Sequence, residues 1–264
     1  MKLKKSIIGL FALAGITALA GCSTGEGATS KAPDPQNPTQ TSALEPEETS
    51  TTEVVPTFEA YTLEQLHAAR KAKTLDSLER KTVSIKGKVT YVKRVDDYSE
   101  TMFIQSGKYA LEVSYPEPYS VNVGDSVEAK GYFSIYKTGD ISEIKLYTDK
   151  TSNSHYDIKV INEAFNVETV TLNNKEDLIE YDSSLANIDF TVTNPSYRSA
   201  AFVGNLKEGN DEIIVAPKSK MAENLETPYE EGDKVSYTGV FTFGGNTALV
   251  LRYYDRAGFE KKTN

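Results

Sequence analysis

Two stretches of the sequence share one pattern: Gly124-Asp125-Ser126-Val127-Glu128-Ala129-Lys130-Gly131-Tyr132-Phe133 and, 108 residues later, Gly232-Asp233-Lys234-Val235-Ser236-Tyr237-Thr238-Gly239-Val240-Phe241. Both keep Gly-Asp-x-Val-x-x-x-Gly-x-Phe, and each is followed by a turn and a further strand-like stretch, 141–147 or 248–254. Alternating apolar positions within them indicate half-buried strands. The repeat predicts two copies of one β domain.

The residues before the first signature complete a set of five short strands. Val83, Ile85 and Val89 alternate with polar residues, and a hairpin is predicted from 102–104 to 111–113. Five strands within about 70 residues are typical of a small barrel. The second copy offers counterparts to these strands, which we align as Ile188, Val192, Phe202-Val203 and Ile213-Ile214-Val215.

This pattern resembles the OB-fold, in particular the extracellular bacterial OB-like modules found beside secreted nucleases and in surface lipoproteins. The resemblance rests on a strand bent at Gly87, a hairpin around Phe-Ile-Gln, and the Gly-Asp-x-Val entry, and it covers 81–150 and 186–256. It implies an all-β fold with two tandem five-stranded barrels. The second copy departs from the first in having Phe190 at the place of Gly87 and a longer segment over 217–231.

The N-terminus has the features of a bacterial lipoprotein signal. Lysines precede an apolar run over 7–20, whose 14 residues would span about 21 Å as a helix, less than a bilayer core of about 30 Å. Leu19-Ala20-Gly21-Cys22 resembles the lipobox, which implies cleavage between Gly21 and Cys22 and lipid, including palmitate, on Cys22. An ordinary secretory signal containing a cysteine is the alternative. Lipidation would keep the protein on the outer surface of a cell membrane.

A tether and a short helix are predicted between the anchor and the first barrel. Residues 22–60 are rich in Pro, Ser, Thr and Glu and carry seven carboxylates against one lysine, which is typical of a disordered acidic linker. A helix is expected after Thr62, because Gln65 completes a capping box. The predicted divisions are the signal peptide 1–21, the linker 22–60, the helix with the first barrel 61–160, and the second barrel 161–264.

OB-folds often bind single-stranded nucleic acid or oligosaccharide on the face of their second and third strands. In the first copy, the basic, aromatic and amide residues out of phase with the core form the candidate ligand site: Lys86, Lys88, Phe103, Gln105, Lys130 and Tyr132. An ordinary solvated sheet face is the alternative. Net charge is 0 over 81–150 and −6 over 166–264, so if either barrel binds an anionic ligand, it should be the first.

This chain has few of the residues that usually carry out catalysis. It has one cysteine and two histidines, and its acidic pairs Asp96-Asp97, Asp211-Glu212 and Glu230-Glu231 fall in predicted turns without calcium-loop spacing. We therefore expect no enzyme, no metal and no cofactor. The sequence predicts a non-catalytic binding module anchored in a membrane, whose ligand is a glycan, another polymer or an envelope protein. A surface protein that binds single-stranded nucleic acid and assists a nuclease or DNA uptake, and a structural part of an envelope assembly, are the alternatives.

Overall fold

The computed structural model describes residues 55–94, 100–115, 121–138, 141–149, 153–198, 201–208, 211–218, 228–245 and 248–262. The signal peptide, Cys22 and residues 22–54 of the predicted linker lie outside this part of the chain. All of these described residues belong to one compact unit.

In the described residues, seven strands, one α-helix and a 3-10 helix over Leu75–Leu78 build the first copy, here called barrel one. The strands and the α-helix are β1 (Glu59–Tyr61), α1 (Leu63–Lys71), β2 (Thr82–Arg94), β3 (Glu100–Ser106), β4 (Tyr109–Tyr115), β5 (Ser126–Thr138), β6 (Ile141–Tyr147) and β7 (Asp157–Val160). The strands run in the order β1-β2-β3-β4-β6-β5-β7, and β2 also pairs with β5. That last pairing closes five strands into a barrel.

Barrel two repeats the same arrangement. Its elements are β8 (Val170–Leu172), α2 (Lys175–Glu180), β9 (Leu185–Arg198), β10 (Ala201–Leu206), β11 (Glu212–Pro217), β12 (Lys234–Gly244), β13 (Val250–Tyr253) and β14 (Phe259–Lys261). The order β14-β12-β13-β11-β10-β9-β8, with β12 also paired to β9, closes the second barrel. The all-β fold of two tandem five-stranded OB-like barrels is confirmed.

The duplicated unit is larger than the sequence pattern indicates. A short strand lies parallel to the first barrel strand in each copy, with β1 on β2 and β8 on β9, and a helix follows it. A last short strand pairs antiparallel with the signature strand, β7 on β5 and β14 on β12. The sequence predicts a helix in the first copy alone, because the six residues of α2 are too few to show a helical period.

The predicted capping box of α1 is present. Gln65 N–H donates to Thr62 Oγ1 at 3.1 Å, and Thr62 N–H donates to Gln65 Oε1 at 2.8 Å. The helix buries Leu63 and Leu66 in the core of barrel one, where they pack with the inward side chains of the strands. The helix therefore helps to fill the barrel and holds the strand before it in place.

Two neighbouring core positions hold one glycine and one large side chain in each barrel, but in opposite order. A Cβ on Gly87 would lie 3.3 Å from Ile104 Cβ, and one on Gly204 would lie 3.4 Å from Phe190 Cβ. Val89 pairs with Ile104 in barrel one, and Val192 pairs with Gly204 in barrel two. Gly87 therefore corresponds to Phe190, and Ile104 corresponds to Gly204. The sequence alignment of 103–104 with 202–203 is therefore wrong by one residue. Phe190 does not alter the fold, because Gly204 makes room for it.

Candidate functional site

Barrel two covers the outer face of barrel one at Phe103 and Gln105. Neither residue has exposed surface. Phe103 packs against Val240 and Tyr254 of barrel two, and the ring centroids of Phe103 and Tyr254 are 4.8 Å apart. Two of the residues expected to contact a ligand therefore join the barrels, and a ligand in solvent does not reach them.

The side chain of Gln105 is fully engaged at this interface. Its Nε2 donates to the carbonyl oxygens of Gly107 at 2.9 Å and Glu168 at 2.7 Å. Its Oε1 accepts from the N–H of Leu185 at 2.9 Å. One buried amide thus ties together the β3–β4 turn, the connection between the barrels and the start of β9.

Charged side chains are paired within the same interface. Lys145 Nζ lies 2.7 Å from Glu112 Oε1, and Arg252 Nη1 lies 3.3 Å from Glu143 Oε1 across the two barrels. The Tyr254 hydroxyl donates to Glu112 at 3.5 Å, and burial raises the pKa of Tyr254. Because Glu112 and Glu143 are buried, loss of either partner would leave a costly unpaired charge.

The end of α1 meets the end of α2 through a second set of polar contacts. Arg70 lies 3.7 Å from Asp182 and donates to the carbonyl oxygen of Glu180 at 3.3 Å. Asp182 also accepts from the N–H of Phe243 at 2.8 Å. Burial raises the pKa of Asp182 to about 6, although the guanidinium of Arg70 opposes that rise.

The His67 ring lies between two tyrosines at this junction. Its centroid is 4.1 Å from that of Tyr109 on barrel one and 5.7 Å from that of Tyr181 on barrel two, both nearly parallel. Its Nε2 is 3.2 Å from a carboxylate oxygen of Glu180. Burial lowers the pKa of His67, and this effect exceeds the opposing influence of Glu180.

The connection between the barrels, residues 161–169, runs back along barrel one and is held there by its backbone. Gly107 N–H donates to the carbonyl oxygen of Asn166, and Glu168 N–H donates to that of Gly107, both at 2.8 Å. Lys86 Nζ contacts Glu163 Oε2 at 2.9 Å. The connection therefore forms a fixed wall opposite β1 and the start of α1.

Between these walls lies an open groove of about 780 Å³. It is called the linker groove below, after the connection 161–169 that forms one wall and not after the predicted linker 22–60. Its floor includes Ser84 and Lys86 of β2, and the β3–β4 turn closes one end. Of the residues that the structure describes, three aromatic ones line it: Tyr61, Tyr109 and Phe165. A concave surface with aromatic walls and a few polar groups is the usual setting for ligand binding.

The charged lining of the linker groove is mixed and acidic on balance. Four glutamates and two lysines contribute: Glu64, Glu128, Glu163, Glu168, Lys86 and Lys108. The hydrogen bond to Glu163 raises the pKa of Lys86, and that to the Tyr181 hydroxyl raises the pKa of Lys108. With both lysines charged, the described residues of the lining have a formal charge of −2, which suits an uncharged or cationic ligand better than a polyanion.

The structure separates the other predicted ligand residues. Lys86 lines the groove, whereas Lys88 lies further along β2, opposite Gln105. Lys130 Nζ is 3.8 Å from Glu128 and lies over the Phe58 ring.

Tyr132 belongs to a separate aromatic cluster. It stacks on Tyr147 with centroids 5.6 Å apart, and Arg80 lies 5.0 Å from its ring centroid. With these neighbours Tyr132 is half-buried, and it packs within this cluster and not in the groove.

Residues from outside the predicted strands supply much of the groove. Phe165, Glu163 and Glu168 come from the connection, and Tyr61 and Glu64 come from the first strand and helix. Phe165 could have been noticed in the sequence, because it is an aromatic residue within a connection rich in Asn and Glu. No local pattern places that connection against barrel one.

The acidic pairs noted in the sequence are surface features where the structure describes them. Asp211, Glu212, Glu230 and Glu231 are exposed, and Asp96-Asp97 lies outside the described residues. Among the described residues, no three His, Cys, Asp or Glu side chains come together to hold a metal ion. The same part of the chain contains no helix of the length and apolar character needed to span a bilayer.

No protein family and no curated protein matches this chain. Among solved structures, a murine DNA-binding protein bound to double-stranded DNA is similar at 12% identity and a TM-score of 0.40, over 68% of this chain and 97% of that one. Aspartyl-tRNA synthetase from Entamoeba histolytica is similar at 13% and 0.30, over 41% of this chain and 22% of that one. Schizosaccharomyces pombe Pot1pC bound to single-stranded DNA is similar at 10% identity and a TM-score of 0.25, over 32% of this chain and 81% of that one. Similarities this weak carry no conclusion about function.

Proposed function

We propose that this protein is a lipid-anchored, extracytoplasmic and non-catalytic binding module whose ligand lies in the linker groove. The observation that carries the proposal is the groove itself, an aromatic-lined cleft whose far wall is fixed to barrel one by backbone hydrogen bonds. A site formed before the ligand arrives avoids the entropy cost of ordering its walls on binding.

The anchor is supported by the sequence alone. The only cysteine of the chain, Cys22, stands where the lipobox pattern requires it. Two or more acyl chains at this position would hold the module on the membrane surface, with residues 23–54 between the anchor and the described part of the chain.

The charge of the groove favours some ligand classes over others. A formal charge of −2 in its lining opposes a nucleic-acid backbone, which binds through positive groups. Aromatic rings and carboxylates instead suit a glycan or an extended peptide with basic side chains. Binding of nucleic acid, the alternative that the sequence left open, is tested beside these.

A binding survey tests the proposal. The mature chain, purified in nonionic detergent, is presented with arrays of glycans, peptides and single-stranded oligonucleotides. Phe165→Ala should weaken binding of the selected ligand about tenfold, because it removes an aromatic wall. Val123→Ala, at a site 63% exposed and outside the groove lining, is the control. Binding that Phe165→Ala leaves unchanged would place the ligand elsewhere, and a flat survey would contradict the binding function.

A further inference from the structure

Barrel two has a second, smaller cleft of about 380 Å³ between residues 189–191 of β9 and the start of β12. We call it the lysine cleft, because its charged lining consists of Lys207, Lys234, Lys262 and one carboxylate, Asp189. Counted over the residues that the structure describes, the formal charge of this lining is +2, although the second half of the chain is acidic as a whole.

The lysine cleft occupies the position in barrel two that the floor of the linker groove occupies in barrel one. Asp189 corresponds to Lys86, since the strand pairings place them opposite Ser236 and Glu128. The residues after the last strand of each barrel make the same hydrogen bond. Ile161 N–H donates to the Ser126 carbonyl oxygen in barrel one, and Lys262 N–H donates to the Lys234 carbonyl oxygen in barrel two. The fold thus builds the same recess twice.

The three lysines all stand where barrel one has an uncharged residue. Lys207 follows the last paired residue of β10 and corresponds to Gly107 after β3. The pairings of β12 with β9 and of β5 with β2 assign Lys234 to Ser126, and the backbone hydrogen bonds above assign Lys262 to Ile161. These lysines come from three separate chain segments and converge on one recess. All three side chains are exposed, which leaves them accessible to a ligand in solvent.

Asp189 leaves most of this positive charge available. Its Oδ1 accepts from Ser236 Oγ at 2.6 Å and from Lys262 Nζ at 2.7 Å. These two hydrogen bonds lower the pKa of Asp189, and the nearby charge of Lys207 adds to the effect. Asp189 is therefore ionised and positions Lys262. No carboxylate among the described residues forms an ion pair with Lys207 or Lys234.

We propose that the lysine cleft is a binding site for a phosphate group. Ammonium groups on flexible side chains donate strong charge-assisted hydrogen bonds to phosphate oxygens. A local charge of +2 matches a phosphate monoester, which carries between one and two negative charges near neutral pH. The net charges of the two halves favour barrel one for an anionic ligand, whereas this cleft lies in barrel two. This proposal is independent of the proposed function of the linker groove.

Titration with inorganic phosphate tests the site. The mature chain in nonionic detergent is followed by two-dimensional NMR, and the backbone amides of Lys207, Lys234 and Lys262 should shift together and saturate. Lys207→Ala combined with Lys234→Ala should weaken binding about tenfold or more, since it removes two charge-assisted hydrogen bonds.

A control of equal charge separates a built site from general attraction. Lys71→Ala combined with Lys159→Ala removes two lysines of barrel one that are 70% and 65% exposed, and should change the affinity less than about twofold. Equal loss in the two double variants, or the absence of saturation in the wild-type chain, would overturn the proposal.

The same titration distinguishes a soluble phosphate from a lipid headgroup. Glycerol 3-phosphate and short-chain phosphatidic acid carry the same phosphate monoester. Equal affinity for the two assigns the site to a soluble ligand, and tighter binding of the phosphatidic acid assigns it to a headgroup. In either case, the chain that carries both Lys207→Ala and Lys234→Ala should no longer bind the phosphate compound.

Discussion

Gln105 of barrel one accepts a hydrogen bond from the backbone N–H of Leu185 of barrel two, at 2.9 Å. The same amide donates to two backbone carbonyls, one of them in the connection between the barrels. A side chain with no exposed surface therefore fixes three segments relative to one another. The wall of the linker groove depends on this arrangement, because the connection that forms it is one of the three.

Gln105→Ala should destabilise the chain by about 3 kcal/mol, because it removes three hydrogen bonds of about 1 kcal/mol each, to Gly107, Glu168 and Leu185. Urea unfolding followed by circular dichroism measures the change. Lys88→Ala, opposite Gln105 on β2, should alter the free energy of unfolding by less than about 0.5 kcal/mol. Equal stability of the Gln105→Ala and wild-type chains would show that the interface does not rely on this amide.

The glycine exchange between the two cores predicts a rescue. Gly87→Phe should cost about 3 kcal/mol, because the new ring meets Ile104 in a filled core. Adding Ile104→Gly reproduces the arrangement of Phe190 with Gly204 in barrel two and should recover about 1–2 kcal/mol. A double-mutant cycle of unfolding free energies measures the coupling. Additive losses would mean that the two positions do not compensate each other.

The comparison of the two cores also shows what the sequence could and could not predict. The Gly-Asp-x-Val repeat predicted both barrels, because its alternation reports local burial and its recurrence reports duplication. It could not show that Phe190 is accommodated, since Gly204 lies on another strand and is brought beside it only by the pairing. The register error at 202–203 has the same origin.

The candidate site was harder to predict than the fold, for a related reason. Phe103 and Gln105 lie on an outer strand face, and the sequence pattern cannot tell a face that meets solvent from one that meets a second barrel. Lys86 was placed correctly on an outer face, but its partner Glu163 comes from a connection with no periodic pattern. Contacts between distant segments decide both cases.

The stability of the chain should depend on pH through His67. Burial lowers its pKa below the ordinary value of 6.5, so the unfolded chain binds the proton more readily. The contribution of the neutral ring is therefore complete above pH 6.5 and is lost as the pH falls from there toward the folded pKa.

His67→Phe isolates this dependence, because it keeps a ring between Tyr109 and Tyr181 but cannot titrate. Asp182, whose pKa burial raises, titrates in both chains, so its contribution cancels in the comparison. As the pH falls from 7.5 to about 5, the wild-type chain should lose stability relative to the variant in urea unfolding. A difference that stays constant, or that changes in the opposite direction, would contradict the lowered pKa of His67.

Lipidation is expected at Cys22 alone. Cells given labelled palmitate should label the wild-type chain, and Cys22→Ala should abolish both the label and the retention of the protein in the membrane fraction. Ser23→Ala, the neighbouring substitution, should leave both unchanged. Label that persists in the Cys22→Ala chain would show that the lipobox resemblance is misleading.

Thiol accessibility is the most direct measurement, since it asks whether barrel two covers Phe103 while the linker groove at Phe165 stays open. Residues 23–264 contain no cysteine, so Phe165→Cys and Phe103→Cys each introduce a single thiol there. Unfolding midpoints are recorded alongside, because Phe103→Cys removes core volume. We predict that the new thiol of the Phe165→Cys chain reacts with a maleimide within about tenfold of the rate in the unfolded chain. The new thiol of the Phe103→Cys chain should react about a thousandfold more slowly, limited by opening of the interface. Similar rates in the two folded chains would contradict both the covered face and the open groove.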